Sequence, residues 1–190
     1  MTSSIGYKGV VRIKVKNKPV KKLNNSGTPE LFKVLYDILA HKLTPYSSEL
    51  YNKQLPTYIV VLSGDKTLLS PEGFMTNYDY KNYRNNFSML QRSAPIISRD
   101  YTQDEGGKPG LRFTATINNN SISSRFNTRI SDNCYLVLLD GKPEDSAKIL
   151  AFVKLDLNFV TSLASVAADP NGQAVIEWDM YFDNDHVEVK

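Results

Sequence analysis

The chain has 190 residues, 41% of them hydrophobic and 23% charged, with a net charge of +3 and a single cysteine. That length and apolar content predict a folded domain able to bury its own core, which excludes disorder and a disulfide framework. The charge is unevenly spread: Lys8, Arg12, Lys14, Lys16, Lys18, Lys21 and Lys22 all precede the first acid, Glu30. After Ser165, Asp169, Glu177, Asp179, Asp183, Asp185 and Glu188 are opposed only by Lys190.

In chain order, Met1–Gly6 has no apolar segment of the kind a secretory signal needs, and no apolar run approaches the roughly 20 residues of a membrane helix. The chain is therefore expected to fold in the cytoplasm. Val11, Ile13 and Val15 alternate with Arg12, Lys14 and Lys16, the period of a strand with one buried face. Asn24-Asn25-Ser26-Gly27 reads as a break after it. Thr28 as cap, Pro29 at the first position, Glu30 at the positive end and Leu31, Leu35, Ile38 and Leu39 at helical spacing predict a helix over about 29–43, stopped by Thr44-Pro45.

Thr57–Leu62 reads as a strand. Residues 64–109 fit neither period and are expected to form long loops. Within them, Tyr78, Tyr80 and Tyr83 are interleaved with polar and basic residues including Lys81 and Arg84, and Arg99–Pro109 carries Asp104-Glu105-Gly106-Gly107. Long loops in a compact domain are usually contact surfaces. Leu111–Ile117 alternates, Tyr135–Leu139 is apolar throughout, and Ile149–Leu157 keeps Ala151, Val153, Leu155 and Leu157 on one face. After the turn Asp169-Pro170-Asn171-Gly172, Ala174–Phe182 is expected to point Ile176, Trp178, Met180 and Phe182 inward and Glu177, Asp179 and Tyr181 to solvent. Six or seven strands and one helix predict a single mostly β domain over 1–190. The expected architecture is a β-sandwich with the N-terminal helix packed on it, a barrel-like closure being the alternative.

Catalytic and metal signatures do not converge. His41 and His186 are far apart, and Cys134 lies in an apolar run, where a thiol packs as a small hydrophobe. Asp183-Asn184-Asp185 resembles the start of a calcium loop but lacks the glycine and glutamate that complete one. Gly106-Gly107-Lys108-Pro109-Gly110 reads as a hairpin tip rather than a phosphate loop. Glu177 and Asp179 share one strand face, unlike the facing carboxylates of a glycosidase. The expectation is a non-enzymatic protein with no cofactor and no metal.

Three groups remain as a candidate interaction surface: basic Arg12, Lys14 and Lys16; aromatic Tyr78, Tyr80 and Tyr83 with Arg84; and acidic Glu177 and Asp179. A basic first strand and an acidic last strand suit head-to-tail assembly of copies, or pairing of the two strands within one molecule. Exposed tyrosines would suit a carbohydrate or a host protein. The basic stripe with tyrosine stacking would suit nucleic acid, against which the modest net charge counts. No membrane partner is expected.

Two segments carry a resemblance. The opening strand followed by Asn25-Ser26-Gly27-Thr28-Pro29-Glu30-Leu31-Phe32 resembles the N-terminal part of small virion proteins of tailed phages infecting low-GC hosts. The closing Ala174-Val175-Ile176-Glu177-Trp178-Asp179-Met180-Tyr181-Phe182-Asp183-Asn184 looks like the Trp-centred last strand of similar proteins. Richness in Asn, Lys and Tyr fits such a genome, crAss-like phages among them. The resemblance covers roughly the first forty and last twenty residues. It implies a virion structural role, in a ring, collar, head–tail connector or tail, as a homo-oligomer in contact with other virion proteins and with no catalytic residues.

Overall fold

The alternation read from the sequence becomes strands in the computed structural model, which describes residues 6–16, 18–33, 56–64, 66, 69–84, 90–118, 133–143 and 146–183. The strands are β1 (Gly6–Val15), β2 (Lys21–Gly27), β3 (Tyr58–Ser63), β4 (Leu90–Gln103), β5 (Pro109–Asn118), β6 (Cys134–Leu139), β7 (Ile149–Leu155) and β8 (Gln173–Asp183). Helices α1 (Pro71–Thr76) and α2 (Tyr80–Arg84) follow β3, and α3 (Leu157–Ala168) joins β7 to β8.

All pairings are antiparallel, and the sheet closes in the order β1-β2-β7-β6-β3-β4-β5-β8. The expected sandwich is therefore corrected to its alternative, a closed barrel. The reason is that β1 pairs on both sides: with β2, and with β8 from Gly6↔Asp183 to Val15↔Ala174. Two sharp features shape the barrel. An irregularity between Ile96 and Ser98 divides β4, whose first half pairs with β3 and whose second half pairs with β5, as a bulge allows. The β2–β7 seam is short, Ser26↔Phe152 and Gly27↔Ala151, and Thr28 lengthens it: its N–H donates to Leu150 O at 2.8 Å and its Oγ1 to Ile149 O at 2.6 Å.

Asn24–Gly27, expected as a break, instead belongs to β2, because the chain already turns after Val15, where Lys18 N donates to Val15 O at 3.1 Å. Of the helix expected over 29–43, residues 29–33 are helical and place Leu31 in the barrel core; the remainder lies outside the described residues.

The barrel interior holds the inward residues that alternation identified: Val11, Ile13, Phe113, Ala115, Ile117, Ile176 and Trp178. Phe159, Val160, Leu163 and Val166 of α3 join the same core. That helix starts at Asp156, whose carboxylate accepts from Phe159 N at 2.9 Å. Its apolar residues recur at helical spacing, a pattern obscured by counting Leu157 as the end of a strand.

A second core lies on the outer face of β3, β6 and β7. There Val60, Leu62, Tyr135, Val137, Leu139, Ile149 and Phe152 are covered by Phe74 of α1 and by Tyr80 and Tyr83 of α2. Burial on both faces is why Tyr135–Leu139 has no polar alternation. The long loops expected over 64–109 are thus corrected as well. Ser70 caps α1 by accepting from Gly73 N at 3.0 Å, and β4 and β5 form a long hairpin. Tyr80 and Tyr83, expected to be exposed, are 1% and 4% exposed, because three-residue spacing on one helical turn points both at Phe74 and the sheet.

Candidate functional site

On β8, Ile176, Trp178 and Met180 point into the barrel, so Glu177, Asp179 and Tyr181 rise on its outer face between β1 and β5. Register sets Arg12 beside Glu177 and Arg112 beside Asp179. Arg112 grips the Asp179 carboxylate with both branches of its fork, Nε to Oδ1 at 2.7 Å and Nη2 to Oδ2 at 2.9 Å. Arg12 Nη1 also donates to Oδ2, and Tyr181 Oη donates to it at 2.9 Å. Lys14 pairs with Glu177, and Arg112 Nη1 lies 3.7 Å from the same carboxylate.

Asp179 and Tyr181, expected to face solvent, are therefore corrected to buried. Two guanidinium groups and a phenol cover the carboxylate, and charge-assisted bonds of this kind make its burial tolerable. Gly110 leaves room for the Tyr181 ring, since a Cβ there would lie 2.6 Å from both Met180 O and Tyr181 Cδ1. The structure thus joins Arg12, Lys14, Glu177 and Asp179 in one ladder. It adds Arg112, which only the β5–β8 register identifies. The basic first strand and acidic last strand pair within one molecule.

The ladder ends beside a cleft of about 550 Å³, bordered by Lys14 at the end of β1 and Lys16 and Lys18 just after it, by Ser165 and Asp169 at the end of α3, and by the turn before β8. Lys18 Nζ lies 3.0 Å from Ser165 Oγ. Lys16 is exposed and has no acidic partner among the described residues. Asp169 is held by its own turn, Oδ1 accepting from Asn171 N at 2.9 Å. Gly172 packs so closely that a Cβ would lie 2.2 Å from Val166 O.

The opposite end of β5 and β8 carries the tip of the β4–β5 hairpin. Asp104 organises it, Oδ1 accepting from Gly106 N at 2.9 Å and Lys108 N at 2.8 Å, while Gly107 takes φ +79°, a value that suits glycine. The Glu105 side chain is 96% exposed and 3.3 Å from Lys22 Nζ. Behind the tip, Tyr101 faces Leu111 across the hairpin; they are 68% and 42% exposed, and Ile97 at the bulge is 64% exposed.

The aromatic group is separate from all this. Tyr83 Oη donates to Asn77 O at 2.7 Å and burial pushes its pKa up to about 12. Tyr78 is half-buried with Lys148 Nζ 5.6 Å from its ring centre. The side chain of Arg84, and His41 and His186, lie outside the described residues. The Cys134 thiol is also pushed up to about 12 by burial, against any role as a thiolate at neutral pH.

Sequence reasoning also missed a polar cluster in the barrel. Oriented with its oxygen toward the indole, the Asn25 amide accepts from Trp178 Nε1 at 2.9 Å and faces the Tyr7 hydroxyl, whose pKa burial raises well above its ordinary value. Gly9, paired directly with Asn25, leaves the space this amide fills.

Among the described residues no three His, Cys, Asp or Glu side chains come together as a metal site, and no helix is long and apolar enough to cross a membrane. No protein-family model, curated protein or solved structure matches the chain.

Proposed function

We propose that this chain is a non-enzymatic structural subunit of a tailed-phage virion, assembling in multiple copies as a ring, collar, connector or tail component. The observation that carries the reading is the unlikeness of the two barrel ends. One presents a lysine-bordered cleft, the other an acidic hairpin tip backed by an exposed Tyr101–Leu111 pair. Surfaces of opposite character at opposite ends suit repeated, heterologous contact between copies. The resemblance of the first forty and last twenty residues to small virion proteins points the same way.

Because β1 and β8 pair with each other, copies meet through these end surfaces and not by adding strands to a free edge. The partners are then other copies and neighbouring virion proteins, and the working location is the particle, after synthesis in the host cytoplasm. Light scattering and native mass spectrometry on the purified chain test this. A defined multimer is expected, and a monomer at every concentration up to the solubility limit overturns it.

Nucleic-acid binding is a second reading, favoured by Lys16 and Lys18 at the cleft. It requires oligonucleotide retention that falls with salt and is lost when Lys14, Lys16 and Lys18 are reversed in charge. The carbohydrate-binding reading keeps only one of the three tyrosines that suggested it, since Tyr80 and Tyr83 are buried and Tyr78 is half-buried.

A further inference from the structure

We infer that the acidic tip of the β4–β5 hairpin of one copy seats in the lysine-bordered cleft of the next. The inference rests on the assembly reading and names the contact that would make it.

Placement is the first support. The cleft adjoins the start of β8 near Ala174, and the hairpin leaves the barrel where Gly110 pairs with Tyr181. Seven residues of β8 separate these points, about 23 Å at roughly 3.3 Å per residue. The hairpin therefore leaves the barrel at the end of β8 away from the cleft. Within its own chain the tip turns its acids to Lys8 and Lys22 and not to the cleft lysines, so the contact with the cleft runs between copies, head to tail. Contacts of this type close into a ring or continue as a filament according to the rotation between copies.

Charge is the second support. Lys16 at the cleft has no acidic partner among the described residues, while Glu105 at the tip is 96% exposed. Inside the chain Lys8 Nζ is 3.9 Å from Asp104, too far for a hydrogen bond, and Lys22 Nζ is 3.3 Å from Glu105 in a pair whose two side chains are both exposed. Such pairs are weak enough to exchange for a partner's lysines.

Shape is the third. The tip is narrow because Gly106 and Gly107 carry no side chains, and Asp104 holds it through two backbone N–H groups. The cleft offers about 550 Å³ and is lined in part by Val15, Val166 and Val175.

The test is a charge swap on the full chain. Lys16→Glu and Glu105→Lys each alter an exposed side chain, so far-ultraviolet circular dichroism and Tm should not change. Each alone should raise the dissociation constant for self-association by about tenfold or more, through like-charge opposition. Combining both in one chain should restore association. Carbodiimide coupling in a mixture of isotopically distinct chains should join Glu105 of one to Lys16 or Lys18 of another.

If the wild type assembles but neither reversal changes its association, the tip-to-cleft contact is overturned and the assembly reading stands. If the wild type stays monomeric, both fall. If Lys16→Glu abolishes oligonucleotide retention and leaves association intact, the cleft belongs to phosphate groups and the inference is overturned.

Discussion

The outer faces of the two halves of this barrel are treated in opposite ways. Over β3, β6 and β7 the outside is hydrocarbon, sealed by Phe74, Tyr80 and Tyr83 from two short helices. Over β1, β8 and β5 the outside is charge, neutralised in place by Arg12, Lys14 and Arg112 against Glu177 and Asp179. The first face is stabilised by area removed from water. The second depends on each buried charge keeping its partner, because an orphaned one costs more than the pair contributes.

The largest effect should come from the apolar face. Phe74 is fully buried, with its ring centre 4.9 to 5.2 Å from those of Phe152, Tyr135 and Tyr83. Phe74→Ala should cost about 4 kcal/mol, read by denaturant unfolding. A loss below about 1 kcal/mol would mean that the helices do not seal this face.

Asp179→Ala should come next, at about 3 kcal/mol, because it leaves the guanidinium groups of Arg12 and Arg112 without the buried carboxylate they share, with only Glu177, 3.7 Å from Arg112, to balance them. If removing Asp179 is neutral, the charged face is not held by this carboxylate. The outer rung should matter far less. Lys14 is 44% exposed, so Lys14→Ala should cost about 0.5 kcal/mol or less and the cost should fade at high salt.

The smallest effect is a pH dependence at the rim of the apolar half. Burial raises the Asp140 carboxyl above its ordinary 3.8, only partly offset by the Lys148 N–H at 2.7 Å and by the Lys148 charge, while Glu30 raises it further. With the folded value above the unfolded one, Asp140 contributes its stability fully below 3.8 and loses it as pH rises through the folded value. Asp140→Asn keeps an acceptor for the Lys148 N–H. It should therefore be more stable than the parent at neutral pH and show no gain in acid. Melting curves across that range would expose the opposite trend.

The same contrast explains what could be read in advance. Strands whose outer face meets water or charge announce themselves by alternation, as in Val11–Val15 and Leu111–Ile117. Tyr135–Leu139 is equally legible as a strand, but its apolar character does not say what covers it. The covering helices were lost among the polar residues around Tyr78 and Tyr83, since a six-residue and a five-residue helix show too few turns for a period to emerge. At the ladder, four of the five charged residues were legible as basic and acidic stripes. Arg112 and the burial of Asp179 were not, because both follow from which strand lies beside β8.

Local spacing by itself determined which residues form strands, which of their faces carries the core, where most turns fall and that Cys134 is packed rather than reactive. Those properties depend on residues a few positions apart. Only the tertiary structure decided that the sheet closes into a barrel, that Asp179 is covered by Arg12 and Arg112, and that the tyrosines of α2 pack inward. Each of these joins residues remote in sequence, 167 positions in the case of Arg12 and Asp179. Such pairing is selected by the burial and charge complementarity of the whole chain, which no local period encodes.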